Sequence, residues 1–219
     1  MTITNHLMIE GMDGAGKGGL SRRLLAHYRL MYGESNVLIV REPGGTPMGE
    51  EVRDLMKYGY RGDKPSDRTR LLGMYLSRYH LNETVILPAL EAGKMVIHDR
   101  GDPSSFAYQV FGHGERRLRL FKELIAGGDE IPYRTLFLDV GYKTSLARRD
   151  KRDCMDDIET ENNSEEKFNH IRAGYRHYFD NYLADVHIID TNALTEEEVF
   201  EQALVALGLT KQSPIAAAG

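Results

Sequence analysis

Five short apolar runs punctuate the chain, at residues 6–10 (HLMIE), 37–40 (VLIV), 95–98 (MVIH), 135–139 (TLFLD) and 186–190 (VHIID). Each is nearly continuous rather than alternating, as expected of strands covered on both faces. Between them lie longer stretches with helical spacing. Residues 20–32 set Leu20, Leu24, Tyr28 and Met31 along one face, and Gly33 follows as a candidate C-cap. Residues 69–87 read as another helix, with Met74 and Arg78 one turn apart on the same face. Strands alternating with helices predict a parallel α/β sheet with right-handed crossovers. Ligands of such sheets bind beyond the carboxyl ends of the strands. The sequence shows no repeats, so the simplest domain count is one, over residues 1–211. Residues 212–219 (QSPIAAAG) read as a disordered tail.

Composition narrows the setting. A chain of 219 residues buries roughly 70% of its unfolded surface and needs no staples. Its 1 cysteine, Cys154, excludes an internal disulfide and fits a reducing compartment. A net charge of −5 argues against generic duplex nucleic-acid binding, though not against a small basic pocket. The N-terminal stretch MTITNHLMIE has no basic region ahead of an apolar one, and no apolar run approaches the ~18 residues of a spanning helix. The expectation is a soluble, cytoplasmic protein with no membrane or nucleic-acid partner.

The first run leads into Gly11-Met12-Asp13-Gly14-Ala15-Gly16-Lys17, which in turn opens a predicted helix. That is the context of a phosphate-binding loop. Gly14 and Gly16 let the backbone curl so that successive N–H groups converge on phosphate oxygens. The helix adds its positive N-terminus, and Lys17 reaches the β and γ phosphates. The motif expects Ser or Thr after the lysine, where a hydroxyl meets Mg²⁺. Here Gly18 and Gly19 occupy that corner, and the nearest hydroxyl is Ser21, further along the helix.

Other clusters follow the later runs. Residues 41–46 (REPGGT) combine a tightly turned Pro-Gly-Gly loop with the charges of Arg41 and Glu42; alone, such a stretch is most often only a turn. Asp99-Arg100 ends the third run. A carboxylate there suits Mg²⁺ through water and the guanidinium suits phosphate, although such pairs are as often structural. Arg78 could grip a phosphate while Met74 packs a base, or Met74 could be core and Arg78 a solvated charge. Arg148, Arg149, Lys151 and Arg152 follow the fourth run, with acids at Asp153, Asp156 and Asp157. The ordinary reading is a solvated helix face; in a phosphoryl-transfer enzyme it is a lid, at about 144–160, that closes over the transferring phosphate.

In order along the chain, these motifs resemble the thymidylate (dTMP) kinases of the nucleoside-monophosphate kinase group. The likeness runs from about His6 to Asp190. It adds residues 83–90 (ETVILPAL), 104–109 (SSFAYQ), 138–140 (LDV) and 172–175 (RAGY) to the loops already named. The resemblance implies a P-loop three-layer sandwich with a five-stranded parallel sheet flanked by helices, ATP as donor, Mg²⁺ and a homodimer. It implies that Asp13 meets the sugar 3′-hydroxyl and the acceptor site, and that Arg53, Arg78 and Arg100 hold the acceptor phosphate, with Glu42 beside them. Ser105 and Gln109 address the pyrimidine edge, and Tyr108 crowds the place of a ribose 2′-hydroxyl. Gly14 stands where some relatives place a catalytic arginine, which moves the transition-state cation to the lid. Arg148 and Arg152 are the best matches there, with Arg149 in reserve.

The sequence departs from the family pattern at four positions: Gly18, Met74 in place of a stacking aromatic, Gly101 in place of an aromatic after Asp-Arg, and Asp157 in place of an arginine. Met74 and Gly101 lie near the acceptor pocket, which leaves open a kinase for a modified pyrimidine deoxynucleotide. Gly18 and Asp157 leave open a nucleotide-binding module with impaired catalysis.

Overall fold

A computed structural model describes residues 5–128, 131–150, 160, 162–183 and 185–209. The expected tail, Arg152, Asp157 and most of the predicted lid lie outside the described residues. The five runs all form strands: β1 (His6–Gly11), β2 (Val37–Arg41), β3 (Met95–Asp99), β4 (Arg134–Asp139) and β5 (Val186–Asp190). They build one five-stranded sheet in the order β2-β3-β1-β4-β5, and every pairing is parallel. The continuous apolar pattern holds where the sheet is covered on both sides. All six residues of β1 are buried, whereas the edge strands are only partly covered and leave Ile39 and Ile188 exposed.

Helices flank this sheet. α1 (Lys17–Tyr32) starts directly from the glycine loop and buries Leu20, Leu24 and Tyr28; Gly33 ends it with φ 89°. α2 (Pro47–Tyr58) is capped by Thr46, whose hydroxyl accepts from the Gly49 N–H. α3 (Asp67–Leu81) is capped by Ser66 in the same way. The helix expected over 69–87 is interrupted. After Leu81 the chain makes a π turn at Asn82–Ile86 before α4 (Leu87–Glu91). Pro88 accounts for the widening: it has no N–H, and its ring would strike the carbonyl four residues back in a regular α-helix.

α5 (Asp102–Gln109), α6 (Glu115–Ala126), α7 (Tyr142–Arg149), α8 (Glu165–Tyr182) and α9 (Glu196–Leu207) complete the described helices. The main core joins Leu7, Ile9, Ile97, Leu136 and Phe137 of the sheet to Phe106, Phe121, Tyr175 and Phe179 of the covering helices. No described helix is long and apolar enough to cross a membrane.

Candidate active site

The carboxyl ends of β1, β2 and β3 open into a cleft of about 1150 Å³. The glycine loop forms one side. Gly14 has φ 79° and Gly16 φ 100°, and a Cβ on Gly14 would stand 2.7 Å from the Ser145 carbonyl oxygen of α7. Only glycine fits there. Asp13 to Gly19 line the cleft. Gly11 and Met12 do not: Met12 is buried in the core, and a Cβ on Gly11 would meet the Leu138 carbonyl oxygen at 2.5 Å. Their carbonyls instead accept from Lys17 Nζ at 2.9 and 3.1 Å. The Lys17 ammonium is pushed down to about 8, chiefly by burial and then by the nearby Arg100 cation.

At position 18 the loop offers no hydroxyl, and the Ser21 Oγ is buried without a hydrogen-bond partner away from the cleft lining. Asp99 does line the cleft, and its Oδ1 is buried without a partner.

The opposite side carries the arginines. Arg78, on α3, donates through Nε to Glu42 (2.6 Å), through Nη1 to Asp102 (2.6 Å) and through Nη2 to Ser105 (3.0 Å). Its guanidinium also lies over the Tyr75 ring, 4.4 Å from the centroid. Three of its five N–H groups are thus used, and one remains on each terminal nitrogen, the spacing that grips a phosphate by two oxygens. Arg100 is braced as well, but its spare N–H groups are on Nε and Nη2. It pairs with Asp13 and donates from Nη1 to Ser104 and Tyr175, both at 3.2 Å. Its backbone is left-handed, φ 70°, a conformation of a kind that clusters at functional sites. Arg53 donates to the Pro43 carbonyl at 2.9 Å and also lines the cleft; the Glu42–Pro43 bond is cis.

α5 contributes Ser105, Tyr108 and Gln109 to the cleft, and Tyr108 Oη donates to Asp13 Oδ2 at 3.3 Å. Met74 lines the same wall from α3, almost fully buried. A Cβ at Gly101 would fall 2.4 Å from Met8 Cε, so Met8 fills the room beside the position where the aromatic is expected. Arg148 lines the cleft too, braced by the Gly14 carbonyl (3.3 Å) and the Thr191 carbonyl (2.6 Å). Arg149 does not. It is buried beside Met12 and Tyr108 in a second, very small pocket, with Nε and Nη2 unpartnered.

Several residues that build the site are absent from the sequence-level candidates. Glu10 is fully buried and accepts from Gly101 N (2.7 Å), Ser104 N (3.3 Å) and Ser104 Oγ (2.7 Å); burial pushes its carboxyl up against the pull of Arg100. Asp102 binds both Arg78 and Tyr75 (2.6 Å each). Asp139 fastens α8 to the sheet through Arg172 (2.5 Å) and Arg176 (2.8 Å); burial opposes its charge, but the two arginines hold its carboxyl below the ordinary range.

The expected sheet and the gathered motifs agree with comparisons to known proteins. Residues 9–203 match the family model for thymidylate kinase. The crystal structure of thymidylate kinase from Ehrlichia chaffeensis superposes with a TM-score of 0.72 at 26% identity, covering 94% of this chain and 99% of that one. A match that spans the sheet, the glycine loop and both arginine-bearing elements leaves one conclusion: the chain belongs to the thymidylate kinase family.

Proposed function

We propose that this cleft carries out the family reaction by binding ATP along the glycine loop and dTMP against Arg78 and Arg100. The chain is a nucleoside-monophosphate kinase, and its reaction is phosphorylation of dTMP. The observation that carries the assignment of sides is that Lys17 and the two half-satisfied arginines open into one cleft. Phosphoryl transfer needs positioning and charge neutralisation more than a protein nucleophile. Lys17 would leave the Gly11 and Met12 carbonyls for the β and γ phosphates. Arg53, Arg78 and Arg100 would hold the acceptor phosphate, and Arg148 would meet the charge that develops between the nucleotides. Asp13, tied to both Arg100 and Tyr108, would orient the sugar, and Ser105 and Gln109 the base edge.

Mg²⁺ fits this site only in company with phosphates. No group of three or more candidate ligands able to hold a metal exists among the described residues. The partnerless Asp99 Oδ1 would take a metal-bound water, and the ion would neutralise the phosphates. Exposed Leu72 and Leu76, one turn apart on α3, with Leu55 on the adjoining α2, support a homodimer formed through these helices. The tests are a coupled ADP-release assay with ATP, Mg²⁺ and dTMP, dUMP, dCMP or 5-substituted deoxyuridine monophosphates, and the particle mass in solution. Turnover with dTMP above the others is expected. Preference for a substituted base would assign Met74 and Gly101 to a modified pyrimidine, and intact binding without turnover would leave only a nucleotide-binding module.

A further inference from the structure

Behind Arg78, a line of buried polar groups crosses the sheet. Arg78 occupies one oxygen of Glu42, Oε2. The other, Oε1, lies 3.0 Å from His98 Nε2, in ion-pair contact but off the line of a regular N–H···O hydrogen bond, and no other group satisfies either atom. His98 Nδ1 is 3.1 Å from His6 Nε2. β1 and β3 are neighbours in register Met8↔His98, so His6 and His98 project from the same face two residues apart. Their rings stack at 5.3 Å with 14° between planes. His6, His98, Glu42 and Arg78 are 3%, 2%, 5% and 6% exposed.

Buried polar groups are costly unless partnered, and Leu7, Met8, Val96 and Ile97 beside these histidines are apolar and buried. A carboxylate fixed by one oxygen can still turn about its last side-chain bond. Fixed by both, it sets the plane of the guanidinium it holds. We infer that His98, backed by His6, is a positioning residue for acceptor binding: through Glu42 it fixes the direction in which Arg78 presents its two remaining N–H groups to the acceptor phosphate. The inference rests on the reading of Arg78 as an acceptor-phosphate ligand. Burial, helped by His98, pushes the His6 imidazole down to about 3, so the outer ring supplies a hydrogen bond rather than a charge.

Steady-state kinetics on the full chain, with ATP and dTMP varied separately, test this. His98→Leu keeps similar bulk and removes the ring nitrogens. The KM for dTMP is expected to rise about tenfold, with the KM for ATP changed less than about twofold, and His98→Gln, which retains an N–H donor, is expected to restore most of the loss. Equal changes in both KM values, or none, would reduce the histidines to packing and overturn the inference. Should His98→Leu fail to fold, the cycle of His98→Phe, which keeps a ring to stack on His6 but no ring nitrogen, with Glu42→Gln decides. A double variant no worse for dTMP than Glu42→Gln alone supports the relay, and effects that multiply overturn it. Arg78→Lys separates the two readings: an unchanged KM for dTMP there would remove Arg78 from the acceptor site whatever His98 does.

Discussion

Arg78 and Arg100 are each held by acids on one side and left with N–H donors on the other, which is how a buried cation is kept available for an anion. Charge-assisted hydrogen bonds contribute about 1.5–3 kcal/mol each, so losing one of them from Arg78→Lys should raise the KM for dTMP by about 10- to 100-fold in steady-state assays. Lys17 gives a pH prediction. Its ammonium is needed for phosphate, and its folded-state value is lowered to about 8. The kcat/KM for ATP, which reports the free enzyme, is therefore expected to fall as pH rises past about 8; a flat profile to pH 10 would contradict it. These residues were legible because their motifs declare them. Glu10, Asp102, His6 and His98 were not, since a carboxylate or imidazole in a strand or turn has no stated role until its partner is known. A histidine within a nearly continuous apolar run was the available signal, but His187 in the fifth run shares it, so it did not single out His6 and His98.

At the scale of elements, the acceptor wall depends on how closely α5 approaches α8. Gly174 makes that approach possible: a Cβ there would stand 2.9 Å from Ala107 Cα and 3.1 Å from Phe111 Cβ. Gly174→Ala gains up to about 1 kcal/mol of helix propensity but meets an overpacking cost of about 1–3 kcal/mol. The net change should be a destabilisation of up to about 2 kcal/mol. Because α5 carries Ser105, Tyr108 and Gln109, the displaced helix should also raise the KM for dTMP while leaving that for ATP alone, and unchanged acceptor kinetics would contradict this. The sequence located every strand to within one residue at the ends, because runs buried on both faces are unambiguous. It missed the π turn at Asn82–Ile86, because apolar spacing continues through residues 81–90 while Pro88 forces the wider turn.

Over the whole molecule, buried ionisable groups set the response to acid. In Glu42 burial opposes charge, but Arg78 and His98 outweigh it, and in Asp139 the two arginines do the same. Carboxyls lowered in the folded state stabilise it above their unfolded values, near 4.5 and 3.8, and that contribution is lost as pH falls further. Glu10, raised by burial, acts in the opposite sense: from about 4.5 upward the unfolded chain releases a proton that the folded one retains, so this group lowers stability as pH rises. Thermal unfolding should therefore show a steep loss of Tm below about pH 4.5, and Glu10→Gln should raise Tm more at pH 7 than at pH 5. A Glu10→Gln effect independent of pH would contradict a carboxyl raised by burial.

The central claim is that the glycine loop and the paired arginines serve one transfer between two nucleotides held in the same cleft. Incubation with ATP labelled at the γ-phosphoryl group, Mg²⁺ and dTMP tests it most directly. The label is expected in dTDP, mole for mole with ADP, and Lys17→Ala is expected to abolish it. Label released only as inorganic phosphate, or undiminished transfer by Lys17→Ala, would contradict the account.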